Sequence, residues 1–121
     1  RVAGELLFEK NGVRFYSCFT RRLMQFYVGQ PVILKGGGDL PPELYCQIDS
    51  IYTKQEEEYK QTYVEARWFY QSVDMKEAFG DLPVGVQQNK NELFYSFHVD
   101  ENEAEIVLKP LPLTVVVGAS R

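Results

Sequence analysis

At 121 residues the chain has the length of one domain, large enough to bury a core of its own. Its 45% hydrophobic and 25% charged residues exclude intrinsic disorder, and no apolar run approaches the roughly 18 residues of a membrane helix. A net charge of -4 and a pI of about 5.0 argue against binding nucleic acid by phosphate neutralisation and fit a basic partner better.

Eight Tyr, eight Phe and one Trp are a high aromatic content, which leans towards strands and also supplies rings for a recognition pocket. Two cysteines, Cys18 and Cys46, give neither a disulfide framework nor a zinc quartet and are expected to be free, buried thiols in a reducing compartment. No signal peptide is recognisable, and a chain that opens on Arg1 is expected to be a piece of a longer protein.

In chain order, Glu5 to Phe8 and Val13 to Phe19 flank Lys10–Asn11–Gly12, a strong hairpin signal. In the return strand Val13, Phe15, Ser17 and Phe19 alternate against Arg14, Tyr16 and Cys18. Phe26 to Gln30 follows, then the short apolar strand Val32–Ile33–Leu34, with Pro31 tolerable as its first residue. Gly36 to Glu43 reads as a loop. Leu44 to Tyr52 is a strand with Leu44, Cys46, Ile48 and Ser50 on one face and Tyr45, Gln47, Asp49 and Ile51 on the other.

Gln55 to Glu58 is a polar connection. From Thr62 to Tyr70, Val64, Ala66, Trp68 and Tyr70 share one side, and Tyr63, Glu65, Arg67 and Phe69 the other. Ser72 caps a short helical stretch, Val73 to Phe79, closed by Gly80. Asp81 to Lys90 is irregular, Asn91 to Val99 a strand, Ala104 to Leu108 a helical turn or short strand, and Leu113 to Val117 a closing strand. The sum is mostly β with short helical turns, and frequent turn residues favour a sandwich or barrel.

Catalytic and cofactor motifs are absent. One histidine, His98, excludes most two-histidine metal sites, and Gly36–Gly37–Gly38 lacks the Lys-Ser/Thr of a phosphate cradle. Cys18 and His98 are the one conceivable nucleophile pair, and a buried structural cysteine is the plainer reading. The expectation is a non-enzyme with no metal and no cofactor.

Three stretches in order resemble the bromo-adjacent homology (BAH) family. Tyr27–Val28–Gly29–Gln30–Pro31–Val32–Ile33–Leu34 is similar to its Val-Gly-Asp-x-Val entry into the core sheet. Ile48–Asp49–Ser50–Ile51–Tyr52 followed by Val64–Glu65–Ala66–Arg67–Trp68–Phe69–Tyr70 is similar to its strand ending in Trp-Phe/Tyr-Tyr. Asn91–Glu92–Leu93–Phe94–Tyr95–Ser96 is similar to its Asn-Glu-Leu-Phe-x-Ser motif.

The resemblance spans roughly Phe26 to Val117, leaving residues 1–25 as an N-terminal hairpin extension of a single domain over 1–121. It implies a distorted β-barrel core, a nuclear location, and binding to nucleosomes or other chromatin proteins, often in transcriptional repression. It fits best the members that read a methylated lysine on a histone H3 tail. The alternative is a non-reading interaction scaffold within a larger chromatin regulator, replication-origin protein or DNA methyltransferase. Direct DNA contact would need a basic patch, for which Arg21, Arg22 and Lys35 are the candidates, and the charge balance disfavours it.

A trimethylated lysine cannot donate hydrogen bonds and is best held by aromatic faces. Trp68 and Tyr70 match the family's cage positions, although Trp68 also reads as a core residue. By resemblance His98 packs against the tail and Asp100 accepts hydrogen bonds from the peptide. Asp74 adds charge complementarity, or merely begins the helical turn. The family's third cage aromatic precedes the isoleucine in a Tyr-x-x-x-Ile pattern, a spacing that here falls on Leu44. Tyr45, one residue on, closes the wall only if a bulge turns it over; otherwise Tyr16, Phe26, Tyr27 or Phe97 must serve, or the cage is incomplete.

Overall fold

A computed structural model describes residues 2–55, 58, 61–71 and 93–112. The helical stretch expected at 73–79, the irregular piece at 81–90 and the closing strand at 113–117 lie outside the described residues. Those described form eight antiparallel strands in one sheet: β1 (Val2–Lys10), β2 (Val13–Arg21), β3 (Met24–Tyr27), β4 (Pro31–Lys35), β5 (Glu43–Lys54), β6 (Thr62–Tyr70), β7 (Phe94–Glu103) and β8 (Val107–Pro110). A 3-10 turn, Ala104–Ile106, links β7 to β8, so the expected helical turn and short strand are both present, in succession.

β1 and β2 turn at Asn11 and Gly12, whose φ angles of 52° and 79° are the left-handed pair that a two-residue hairpin requires. β5 organises the sheet. One of its edges pairs with β6 along most of its length, and the other is shared between β4 and β2. β4 sits between β5 and β8 with Val32, Ile33 and Leu34 all buried, as expected of an apolar run covered on both faces. Among the described residues no pairing closes the sheet into a ring.

The sheet curls around one core built from Phe19, Phe26, Val32, Leu34, Leu44, Cys46, Ile48, Ile51, Val64, Ala66, Ala104 and Val107. Phe19 of β2 is fully buried there, stacked on Phe26 at 5.1 Å, so the N-terminal hairpin contributes to the same core as the segment from residue 26 onward. Strict alternation in β2 does not hold: Cys18 and Phe19 are both buried.

Bulges interrupt the ladders on both sides of β6. Between Ile48 and Ser50, β5 advances two residues while β6 advances one, from Ala66 to Glu65, leaving Asp49 as the extra residue. This corrects the face expected for Ser50 and Ile51: the bulge flips the phase, and Ile51 enters the core. Tyr52 then faces the outer side, in an aromatic row across four strands with Phe8, Phe15 and Tyr63. The second bulge is in β7. Arg67 pairs with Val99 and Phe69 with Tyr95, so three residues, Ser96 to His98, stand across from Trp68 alone.

Candidate functional site

The start of β5, the end of β6 and the β7 bulge meet around a cavity of about 750 Å³, within the range of sites that take a small ligand. Trp68, Phe69, Tyr70, Leu44, Tyr45 and His98 line it, with the Leu40–Glu43 segment as its rim. Sequence reasoning brought Trp68, Tyr70, Tyr45 and His98 forward, and all four border this one cavity. The apolar rim at Leu40–Pro42 and the contribution of Phe69 were not foreseen.

Trp68 lies across from Cys46 and packs, half-buried, against the core. It is therefore both a core residue and a cavity wall. Its Nε1–H donates to Asp100 Oδ2 at 3.0 Å. His98 Nε2 lies 2.9 Å from the same oxygen, and its imidazole lies flat on the indole, ring centroids 4.8 Å apart and planes parallel. Asp100, expected to accept from a bound peptide, here uses Oδ2 to hold Trp68 and His98 in place.

The bulge that brings His98 over Trp68 is pinned from several sides. Ser96 Oγ donates to the Trp68 carbonyl at 2.7 Å and accepts the His98 backbone N–H at 3.1 Å. Arg67 donates to the Ser96 carbonyl at 3.1 Å while its guanidinium pairs with Asp49, the residue of the β5 bulge, at 2.8 Å. Each bulge thus anchors the other. Arg67 and Ser96 stand inside the motifs that carried the resemblance, but their pairing depends on register and leaves no mark in composition.

Leu44 is buried in the core, and the β4–β5 register runs unbroken from Lys35↔Glu43 to Val32↔Cys46, so no bulge turns Tyr45 over. None is needed. The cavity lies at the strand's beginning, where side chains from both faces reach it, and Leu44 and Tyr45 both border it. Of the other aromatics considered for the third wall, Tyr16 packs on the core and Phe26 is fully buried. Tyr27 bonds Gln25, and Phe97 is 94% exposed. None of the four borders the cavity. Asp74 lies outside the described residues.

Both cysteines are free and buried. Burial, and then the charge of Asp100, push the Cys46 thiol up to about 12, which leaves it an inert wall behind Trp68. Among the described residues no three His, Cys, Asp or Glu side chains gather as a metal site, and no helix is long and apolar enough to cross a membrane.

Fold and site together define a mostly β chain with an aromatic-walled cavity at one end of its sheet. No protein-family model matches the chain, and no curated protein sequence matches it.

Proposed function

We propose that this chain is a chromatin reader of BAH type, its curled sheet corresponding to that family's distorted barrel, and that it binds a methylated lysine of a histone H3 tail in the nucleus. The observation that carries this reading is the convergence of Trp68, Tyr70 and Tyr45 on one cavity. Aromatic faces attract a diffuse cation that cannot be hydrogen-bonded, each contact being worth about 0.5–2 kcal/mol according to its desolvation. The charge agrees: the chain is acidic overall, Glu43 stands at the rim, and Asp100 lies at the N–H edge of the indole. An unmethylated lysine is better solvated and gains less.

The test is titration of methylated and unmethylated H3 tail peptides against the wild type and Trp68→Ala. Methylated peptides are expected to bind selectively, and the substitution to weaken them by about two- to thirtyfold, the factor that one such contact represents. Equal binding of all peptides, or unchanged binding by a folded Trp68→Ala protein, contradicts the reading.

One observation favours the scaffold alternative. A face of Trp68 is already covered by His98, as in a pocket that takes no ligand. On that reading no histone peptide binds, and other chromatin proteins engage another surface.

A further inference from the structure

Trp68 packs on the core and carries His98 flat on its ring, at 4.8 Å and 0°. Asp100 holds both at a single oxygen, 3.0 Å from the indole nitrogen and 2.9 Å from the imidazole nitrogen. An aromatic face with a carboxylate beside it offers an organic cation two attractions, from the ring quadrupole and from the full charge. His98 makes both contacts itself.

We infer that His98 is a resident placeholder: its imidazole occupies the place on Trp68 and Asp100 that the methylated lysine head takes, and ligand binding displaces it into solvent. This rests on the methyl-lysine reading of the cavity and says which part of its wall, the Trp68 face under His98, the ligand head takes. The side chain is 45% exposed, so its way out is open. It sits on the bulge, where Ser96 to His98 are passed over by the β6–β7 pairing, so its side chain can rotate without breaking the ladder. Asp100 pairs with Ala66 within the ladder and stays behind. It continues to orient the Trp68 N–H and presents a half-exposed carboxylate to the arriving cation. The bulge keeps its shape through Ser96 and Arg67, not through the imidazole.

The placeholder role reverses the sign that the resemblance implies for His98: the residue competes with the ligand instead of gripping it. The probe is Nα-acetyl-trimethyl-lysine amide, with the unmethylated amide as control, titrated by NMR into the wild type, His98→Ala and His98→Gln. Emission of Trp68, the only tryptophan, is recorded in parallel. Both variants are expected to bind the methylated probe about two- to tenfold tighter, the factor that one aromatic stacking contact represents. The wild-type emission on binding should shift towards that of free His98→Ala. Weaker or unchanged binding by variants that melt like the wild type overturns the placeholder and leaves the cavity reading standing. No binding by any of the three proteins overturns both together.

Discussion

His98 lies parallel to Trp68 because β7 sets three residues, Ser96 to His98, against the one residue Trp68 of β6. In a regular ladder the imidazole would alternate out to one side of the sheet. The bulge re-aims it over the indole, where Asp100 fixes both rings. The geometry of the site is thus a consequence of strand register, and register is what holds it.

Arg67 is the residue on which that register most depends, since it joins Asp49 of one bulge to Ser96 of the other. Arg67→Ala is expected to lower the unfolding free energy by about 1.5–3 kcal/mol, the range for hydrogen bonds to a charged partner. Arg67→Lys should recover little, because one ammonium nitrogen cannot replace the separate guanidinium nitrogens that reach Asp49 and Ser96 from opposite sides of the fork. Urea unfolding of both variants checks this; a change below about 0.5 kcal/mol, typical of inconsequential surface sites, contradicts it.

Between β2 and β3 the turn is Arg22–Leu23, with φ of 50° and 67°. Left-handed backbone at a non-glycine residue costs about 1–3 kcal/mol, and Leu23 is fully exposed, so no burial offsets the cost. Replacing the pair with Arg22→Asn and Leu23→Gly, the turn already used at Asn11–Gly12, is expected to add about 1 kcal/mol or more of stability. A thermal melt measures it, and an unchanged or lower Tm contradicts the strain.

On the outer face, Glu101 accepts from Lys54 at 2.7 Å and from the Tyr52 hydroxyl at 2.5 Å. The Lys54 bond first, and the Tyr52 bond next, hold its carboxyl below the ordinary range; burial opposes them. The Tyr52 phenol is pushed up, by burial first and then by the bond to Glu101, and stays a donor. A carboxyl lowered on folding binds fewer protons than in the unfolded chain. Its stabilisation is therefore complete above the unfolded value of about 4.3 and disappears as pH falls through the folded one. The stability gap between wild type and Glu101→Gln should shrink on acidification from about pH 7 to about pH 3. A gap independent of pH contradicts the shift.

Local signals made much of this fold readable in advance. Asn11–Gly12 marked its hairpin because only a few residues tolerate two positive φ angles in a row. Thr62 to Tyr70 marked β6 through its alternation, and Trp68 with Tyr70 marked the cavity wall. The Arg22–Leu23 turn escaped because neither residue favours its backbone. Both bulges escaped for a different reason: an extra residue such as Asp49 is defined by the partner strand, not by its own neighbours in sequence. With the bulges went the phase of Ile51, the stacking of His98 on Trp68, and the way Tyr45 reaches the cavity without being turned over.

The most direct test of the methyl-lysine reading tracks the Trp68 indole N–H, a single NMR resonance because the chain has one tryptophan. Histone H3 tail peptides, each trimethylated at one lysine, are titrated against their unmethylated forms. The expected result is a saturable shift of that resonance with at least one methylated peptide and none with its unmethylated partner. An indole signal that stays still throughout, or moves equally with both forms, contradicts it.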